Sequence, residues 1–367
     1  MNRVKQVFIT GATGLLGAYL LRDLISCLES SSINQIVALV RGDTQQEAER
    51  KIIASLKPVL PKDKLNSLPN FIKVIRGDIT KEYLGMSQTD YLNFAKNITT
   101  IYHSAALCDF KIPWEIIKIA NLDGTRNVLE FARLCDSKKQ FKGVHFVSTV
   151  AVGGNKKGIL YENQLDTGQG FHNTYEKSKF EAERLATEYR NQGIPINIYR
   201  PAIIVGDSSN GYTNNFKMVY QPLHFLSLEI FNEIPADGAT EYSFCPVDCV
   251  SKAIVSLSLK DKTRNMTFNI INPHKINLDF FITTASRYFA FRKPKLIPLS
   301  KFNFGQISEL EHNLIEPYIP YFNYDLWFDT KNIQLILKDD FQWPIIDDKF
   351  LNRIYSYCLK CGFIKNR

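Results

Sequence analysis

The sequence predicts an α/β fold: a doubly wound parallel sheet, with a smaller and mostly helical part towards the C-terminus. Three observations support this prediction. Short apolar runs alternate with stretches of helical periodicity over residues 1–206, which is the pattern of strand–helix–strand units. Glycines at positions 11, 14 and 17 form a turn between the first strand and the first helix. The alternation fades after residue 206, where aromatic residues become frequent.

The second predicted strand, in INQIVALVRG, is almost continuously apolar, as a strand buried on both faces of a sheet is. We expect the first strand at Val7–Thr10. Further strands are predicted within INQIVALVRG, NFIKVIRGDI, TTIYHSAA, GVHFVSTVAVGG, INIYRPAIIVG and TFNIIN. Helices are predicted at Ile116–Leu134 and Tyr175–Arg190, and CPVDCVSKAIVSLSL is expected to form a helix with Asp248 as its N-cap.

The change of pattern also predicts how the chain is divided. Residues 1–206 and 245–275 are expected to form the nucleotide-binding part, because TFNIIN returns a strand to the sheet. Residues 207–244 and 276–367 are expected to form a smaller substrate-binding part. These two stretches hold many of the 25 Phe and 17 Tyr of the chain. The aromatic side chains either line an apolar site or simply pack the core of this part.

The composition is that of a globular protein, with 45% hydrophobic and 22% charged residues in a chain of 367. The net charge of +8 mildly favours acidic partners, but no motif supports binding of a nucleic acid. No apolar run of about 18 residues is present, so no membrane span is predicted. Seven cysteines lack disulfide-like spacing, and the single C-x-x-C at Cys358 and Cys361 is too little for a metal site. A reducing cytoplasm fits this usage.

The glycine turn indicates a nucleotide site. Gly11 permits a tight turn, Gly14 lets the backbone approach a pyrophosphate, and Gly17 lets the helix pack closely on the strand. Free N–H groups and the positive end of the helix dipole would bind the anion. A turn that serves packing alone is the alternative, which the strand–turn–helix context disfavours.

Tyr175 and Lys179 lie one turn apart in NTYEKSKFEAERLATEYR. Asn173 is expected to cap this helix, with Glu176 completing a capping box. Residues four apart share a helix face, so both side chains can enter one pocket. On spacing alone a solvated tyrosine and lysine is the more frequent outcome, because Y-x-x-x-K is a weak pattern.

The glycine spacing T-G-x-x-G-x-x-G resembles that of the extended branch of the short-chain dehydrogenase/reductase superfamily, whose fold is of the Rossmann type. In that superfamily a Y-x-x-x-K helix follows a Ser or Thr at the end of the fifth strand, and FVSTVAVGG places Thr149 there. The resemblance implies that Thr149, Tyr175 and Lys179 are catalytic. It also implies that Asn121, in NLDGTRNVLEFA, supports the lysine.

The same resemblance implies which residues bind the cofactor. Asp78 in RGDIT resembles the residue that reads the adenine amino group. Arg41, after the second strand, suits a 2′-phosphate and favours NADPH over NAD, although a plain surface arginine is the alternative. His103, at the end of the fourth strand, is expected to be structural. The predicted cofactor-binding residues are Gly11, Thr13, Gly14, Leu15, Leu16, Gly17, Arg41, Asp78, Ile79, Ser104, Ala105, Ala106, Tyr175, Lys179, Pro201, Ala202 and Ile203.

Within this branch HSAALCDF, VSTVAVGG, RPAIIVGDSSNG and the closing CGF resemble the thioester-reductase group. That group includes terminal reductase domains of nonribosomal peptide synthetases, carboxylic acid reductases and fatty acyl-CoA reductases. The resemblance implies NADPH-dependent reduction of an acyl thioester carried by coenzyme A or by a phosphopantetheinyl carrier protein, to an aldehyde or on to the alcohol. Tyr175 would protonate the oxyanion, Thr149 would be a second donor, and Lys179 would lower the pKa of the phenol.

Other interpretations remain open. A hydroxyketone reductase or a sugar-nucleotide epimerase would share the fold, although an epimerase is expected to have an acidic residue where Arg41 stands. A non-enzymatic NADP-sensing protein is expected to lose the tyrosine or the lysine, whereas this chain has Thr149, Tyr175 and Lys179 together.

Overall fold

The computed structural model describes residues 6–28, 34–137 and 140–365. At its centre is a seven-stranded parallel sheet, which confirms the predicted fold class. The strands are β1 (Gln6–Thr10), β2 (Gln35–Val40), β3 (Ile72–Arg76), β4 (Ile98–His103), β5 (Gly143–Val147), β6 (Ile196–Pro201) and β7 (Thr267–Ile270). Their order is β7-β6-β5-β4-β1-β2-β3. The winding reverses between β1 and β4, which opens a crevice at the carboxyl ends of these strands, where such sheets bind ligands.

Helices cover both faces of the sheet, and β4 and β5 are buried along their whole length. The helices of this half are Leu15–Leu28, Gln45–Leu56, Lys62–Asn66, Leu68–Phe71, Gln88–Ala95, Trp114–Lys118, Gly124–Asp136, Thr174–Asn191 and Val247–Ser258. Short 3-10 turns lie at Glu82–Gly85, Val150–Gly153 and Asp261–Thr263. The helix predicted at Ile116–Leu134 is present, but a π-helical turn at Ile119–Asp123 interrupts it.

The prediction that Asp248 caps its helix is wrong. The helix Val247–Ser258 starts one residue before Asp248, and Pro246 holds the N-cap position. The Asp248 carboxylate instead accepts hydrogen bonds from the backbone N–H and the hydroxyl of Ser208, at 2.9 and 2.7 Å. Its side chain therefore ties this helix to the chain that has just left the sheet.

The second part is assembled from two separate stretches of chain. Its helices are Tyr220–Ser227, Leu278–Phe289, Glu309–Ile315, Ile319–Phe322, Lys331–Leu337 and Asp348–Lys360, with 3-10 turns at Leu299–Lys301, Phe304–Gln306, Glu316–Tyr318 and Lys338–Asp340. The small strand pairs of the described chain are Ile203–Val205 with Phe244–Pro246, Glu233–Pro235 with Lys295–Ile297, Glu241–Tyr242 with Ile276–Asn277, and Gly158–Leu160 with Leu326–Phe328. Both stretches contribute to one hydrophobic cluster, separate from those around the sheet.

The C-terminal stretch also covers the outer edge of the sheet at β7. Ile333 and Ile336, in the helix Lys331–Leu337, pack into the core beside the sheet. The Asn332 side chain donates a hydrogen bond to the backbone carbonyl of Thr267 at 2.9 Å. The predicted division into two parts stays a prediction. Within the described chain, no helix is both long and apolar enough to span a bilayer.

Candidate active site

Three glycines shape the turn between β1 and the helix Leu15–Leu28. Gly11 has a φ of +75°, and a Cβ there would lie 2.5 Å from the backbone nitrogen of Ala105. A Cβ on Gly17 would lie 2.0 Å from the carbonyl oxygen of Gly11, so only glycine lets the helix pack this closely. A Cβ on Gly14 would meet only that same oxygen, at 3.3 Å, which leaves this side of the turn open. A pyrophosphate can approach the backbone here, and the first helical turn has no acidic residue to repel it.

A cavity of about 790 Å³ joins the carboxyl ends of the strands to the second part. The predicted site residues that line it are Gly11, Thr13, Gly14, Leu15, Leu16, Gly17, Ser104, Ala106, Thr149, Tyr175, Lys179, Pro201, Ala202 and Ile203. Ala105 is not in the cavity wall but directly behind the glycine turn. Four other predicted residues are also outside the wall: Arg41, Asp78, Ile79 and Asn121. The fold therefore gathers the glycine turn and the three predicted catalytic side chains around one space.

Lys179 is held at the end of β5. Its ammonium donates a hydrogen bond to the carbonyl oxygen of Val147 at 2.9 Å and lies 4.7 Å from the centre of the Phe146 ring. Burial lowers the pKa of Lys179 to about 8, although the neighbouring Cys108 and Glu183 favour the charged form. One of the three ammonium N–H groups is used by the strand, which leaves the others for a ligand in the cavity.

Tyr175 has a pKa well above its ordinary value, chiefly because the phenol is buried. The Cys108 thiol, with Sγ 3.8 Å from the phenol oxygen, raises this pKa further, whereas the Thr149 hydroxyl lowers it. The expected lowering of the phenol pKa by Lys179 is therefore not what the structure shows. The ammonium is turned to the Val147 carbonyl and burial dominates, so the phenol keeps the proton that it would donate.

Thr149 follows β5 and caps the turn Val150–Gly153. Its hydroxyl oxygen accepts a hydrogen bond from the N–H of Ala151 at 3.2 Å. A hydroxyl has one hydrogen to give and can accept at the same time. The Thr149 O–H can thus donate to the Tyr175 oxygen, in agreement with its lowering of the Tyr175 pKa.

The helix Thr174–Asn191 begins at Asn173, whose side chain accepts the N–H of Glu176 at 3.0 Å. The predicted capping box is not completed, because the Glu176 carboxylate accepts the backbone N–H of His172 at 2.8 Å, one residue before the cap. The same carboxylate accepts the Tyr321 hydroxyl at 2.5 Å. Glu176 therefore links the first turn of this helix to the second part instead of closing the cap.

Asn121 lies in the π-helical turn and orders the loop after β4. Its side chain accepts the N–H of Leu107 at 2.7 Å, and donates to the Leu107 carbonyl at 3.0 Å and to the Ser178 hydroxyl at 2.9 Å. It forms no hydrogen bond to Lys179 within the described chain. Support for the lysine therefore stays a prediction, and the contact with its helix runs through the adjacent Ser178. Single π-turns of this kind are frequent at functional sites.

Arg41 and Asp78 follow β2 and β3, on the opposite side of β1 from the catalytic residues. The Arg41 guanidinium is exposed and has no hydrogen bond or ion pair with any described residue. Lys51 is already committed, to Glu47 at 2.7 Å and to the Arg41 carbonyl at 3.0 Å. One Asp78 oxygen accepts the N–H and the hydroxyl of Thr80, both at 2.9 Å. The Arg41 guanidinium and the second Asp78 oxygen can thus meet a ribose phosphate and an adenine.

His103 is confirmed as structural. Both ring nitrogens are within hydrogen-bond distance of hydroxyls, Nδ1 of Thr10 at 2.7 Å and Nε2 of Thr125 at 2.9 Å. Burial, with a smaller effect of the Lys179 ammonium, lowers the pKa of His103 to about 3, so the ring is neutral.

Sequence reasoning missed the residues that the loop after β4 brings to the tyrosine. Cys108 contacts the phenol, and the Phe110 ring lies 6.1 Å from the Tyr175 ring. Phe110 also stacks on Tyr321 of the second part, with ring centres 5.1 Å apart. Cys108 and Phe110 both belong to the motif HSAALCDF, which could have indicated that they lie near the site.

A comparison with models of known families matches residues 9–254 to an NAD-binding family described as "Male sterility protein". This range includes the glycine turn and Thr149, Tyr175 and Lys179. The match thus covers the three predicted catalytic residues and most of the sheet.

Curated relatives are much longer than this chain. A linear gramicidin synthase from Brevibacillus parabrevis is 30% identical over 287 residues, which are 77% of this chain and 5% of that protein. Carboxylic acid reductase of Segniliparus rugosus is 27% identical over 307 residues, which are 77% of this chain and 25% of that protein. The chain spans a quarter or less of the length of these two relatives.

Solved structures share the whole fold. The terminal R domain from the myxalamid PKS-NRPS biosynthetic pathway has a TM-score of 0.83 and 28% identity, covering 100% of this chain and 93% of that one. UDP-glucuronic acid 4-epimerase from Bacillus cereus, in complex with NAD, has a TM-score of 0.67 and 20% identity, covering 97% and 99%. At the lower identity the likeness shows the fold alone.

Proposed function

Since the chain belongs to the "Male sterility protein" family, of the extended short-chain dehydrogenase/reductase type, we propose that it is an NADPH-dependent reductase of acyl thioesters. The observation that carries this proposal is the convergence of Thr149, Tyr175 and Lys179 on the cavity that also holds the glycine turn. The similarity to a reductase domain of a peptide-synthetase pathway and to carboxylic acid reductase supports it. Of these two, carboxylic acid reductase is a reductase by name.

The residues present fit a dinucleotide cofactor. NADPH bound at the glycine turn would supply the hydride for the thioester carbonyl. Gly14 leaves room for the pyrophosphate, and Asp78 has an oxygen for the adenine amino group. Arg41 is our candidate for the 2′-phosphate, because an exposed and unpaired guanidinium at the end of β2 can form charge-assisted hydrogen bonds to it. A carboxylate in that position would instead favour the 2′-hydroxyl of NAD.

The catalytic side chains can stabilise the charge that develops on the substrate. Tyr175, which keeps its proton at neutral pH, would donate it to the carbonyl oxygen as this becomes an oxyanion. Thr149 would give a second hydrogen bond. The buried Lys179 ammonium would favour the negative charge that builds up on the phenol as the proton leaves. Cleavage of the C–S bond would then release a thiol and leave an aldehyde. A hydride from a second NADPH, with a proton again from Tyr175, would reduce that aldehyde to the alcohol.

We further propose that the thiol belongs to a phosphopantetheine arm, of coenzyme A or of a carrier protein. With coenzyme A the protein would act as a fatty acyl-CoA reductase does. With a carrier, the net charge of +8 would attract the usually acidic partner in a salt-dependent way. All seven cysteines are free thiols, which suits the reducing cytoplasm as the compartment.

The test presents one acyl group as its coenzyme A thioester, as a carrier-bound thioester and as the free acid, and follows the absorbance of NADPH. Both thioesters should be reduced and the free acid should be inert. Reduction of the free acid alone would rule out the thioester proposal. A carrier-bound rate that falls with salt, beside a steadier coenzyme A rate, would identify a protein-borne substrate. Equal salt dependence would favour coenzyme A. Epimerisation of UDP-glucuronic acid alone, followed by NMR because it consumes no NADPH, would favour an epimerase.

A further inference from the structure

The cavity continues past the catalytic tyrosine into the hydrophobic core of the second part. Its inner wall comes from residues 231–244 and from the helix Leu278–Phe289. The side chains there are Phe231, Ile234, Phe244, Leu278, Phe281 and Ile282, each at most 6% exposed. A closed apolar wall of this kind is built to exclude water from whatever lies against it.

The outer rim of the same cavity is polar. Its exposed lining residues are Cys108, Lys111, Asn214, Asn215 and Gln221. An ion pair of 2.8 Å between Asp109 and Lys217 joins the loop after β4 to the second part at this rim. Apart from the catalytic Lys179, the charged side chains of the described lining are those of Asp109, Lys111 and Lys217. Charge is thus found at the rim and at the catalytic group, and the inner wall has none.

Three tyrosines of the cavity wall already use their hydroxyls within the protein. Tyr242 donates to the backbone carbonyl of Tyr321 at 2.9 Å, and Tyr318 donates to the Gln221 side chain at 2.6 Å. Tyr321 donates to the buried Glu176. Of the tyrosines in the cavity wall, Tyr324 has no hydrogen bond from its hydroxyl within the described chain. A charged group pushed against the six apolar side chains would therefore lose several hydrogen bonds to water and could regain few of them, which lowers its affinity.

We propose that the substrate has an apolar acyl group, aliphatic or aromatic, without amide or charged groups beyond the reacting carbonyl. The inner cavity is the pocket for that group, and the polar rim receives the amides of the pantetheine arm. This inference rests on the proposed function for the identity of the reacting bond. According to this proposal, the substrate of this chain is an apolar acyl thioester and not the thioester of a peptide or of an amino acid with two carboxyl groups.

A series of pantetheine thioesters tests the proposal on the wild-type protein. For butanoyl, hexanoyl and octanoyl thioesters, kcat/KM should rise about fourfold for each added methylene until the pocket is filled. The adipoyl and 6-aminohexanoyl thioesters have the length of hexanoyl with a charged end. Their kcat/KM should be at least about 100-fold lower than that of hexanoyl, because the charge would be buried without a partner.

A pair of matched variants locates the pocket. Ile282→Phe adds volume at the inner wall, so the ratio of octanoyl to butanoyl kcat/KM should fall at least about tenfold. Ile276→Phe makes the same change in the same hydrophobic cluster but outside the cavity wall, and should leave that ratio as it is. Equal ratios in both variants, with both folded, would remove the inner cavity as the acyl pocket.

Calorimetry with non-reducible amide analogues of the acyl-pantetheines separates this inference from the proposed function. Binding that tightens with chain length, without turnover of any thioester, would keep the inference and overturn the proposed function. Turnover in which the adipoyl or 6-aminohexanoyl thioester equals hexanoyl would overturn the inference and keep the proposed function. Absence of both binding and turnover would overturn both.

Discussion

Replacing Tyr175 with Phe removes one oxygen and keeps the ring. The partners of that oxygen are the weak Cys108 thiol at 3.8 Å and the Thr149 hydroxyl. Both partners remain in contact with the open cavity after the change, so water can replace the lost contact. We therefore expect the free energy of unfolding of Tyr175→Phe to change by less than about 1 kcal/mol. Affinity for NADPH should stay within about threefold of wild type, a change of well under 1 kcal/mol.

Turnover of the same variant should collapse. The phenol is the proton donor and also a hydrogen-bond donor to the oxyanion, and its loss should lower kcat by about 10²–10⁴-fold. That range corresponds to about 3–5 kcal/mol of lost transition-state stabilisation. The remaining Thr149 hydroxyl cannot replace it, because a threonine O–H is a far weaker acid than a phenol.

Tyr321→Phe is the matched control, since it makes the same chemical change in the same cavity. The Tyr321 hydroxyl donates to the buried Glu176 at 2.5 Å and accepts the Asn173 side chain at 2.7 Å. Removing it leaves a buried carboxylate short of a partner, at about 1.5–3 kcal/mol of folding stability. For a chain of this size Tm should fall by about 2–4 °C, while kcat should fall less than about tenfold.

Single-turnover oxidation of NADPH measures the catalytic rate, and fluorescence titration measures the affinity for NADPH. Thermal unfolding gives Tm. The expected pattern is opposite in the two variants: Tyr175→Phe loses rate and keeps Tm, and Tyr321→Phe loses Tm and keeps most of its rate. A Tyr175→Phe enzyme with more than a tenth of the wild-type rate would refute the catalytic argument. So would a rate loss that only follows a loss of folding or of NADPH binding.

Other changes test the remaining parts of the site. Arg41→Asp should lower the NADPH-to-NADH ratio of kcat/KM at least about tenfold without changing Tm, because the guanidinium is exposed and has no partner among the described residues; an unchanged ratio would place the 2′-phosphate on another basic residue. Turnover should fall as pH rises through about 8, where buried Lys179 loses its proton, instead of near its ordinary value of 10.5. Because the pKa of Lys179 is lower in the folded chain than in the unfolded chain, its contribution to folding stability rises with pH between about 8 and 10.5. Lys179→Arg should remove the alkaline fall in any activity that the variant retains. Glu183→Gln should lower the free energy of unfolding by about 3–5 kcal/mol, since it leaves buried Arg200 without the carboxylate 2.5 Å away; calorimetric unfolding with no such loss would contradict this.

The sheet and the glycine turn could be predicted because local chemistry decides them. Gly11 must be glycine for its own φ, and burial on both faces favours a nearly continuous apolar strand such as Gln35–Val40. Tyr175 and Lys179 share a face because of the helical period alone. The resemblance to a known family then indicated that the two side chains are catalytic and not merely solvated.

What escaped prediction depends on contacts between distant positions. Glu176 has the spacing of a capping box, but its carboxylate is drawn to Tyr321, 145 positions along the chain. Asp248 is of a residue type that is frequent at N-caps, but its carboxylate accepts a hydrogen bond from the Ser208 hydroxyl instead. The sequence predicts that Lys179 lowers the pKa of Tyr175, whereas burial of the phenol raises it. Burial is a property of the packed chain, so no local pattern could have revealed it.

During synthesis on the ribosome, β6 emerges long before the strand that covers its outer edge. Ile196–Pro201 is buried at every position of the finished sheet, and its neighbour β7 begins only at Thr267. At about 5–20 residues per second, translation of the stretch between them takes roughly 3–14 s. Until then β6 is an unpaired apolar edge of the kind that pairs with other chains. Asn332, which hydrogen-bonds to β7, is made later still. The length of chain between β6 and β7 therefore sets how long each nascent chain must be kept from aggregating.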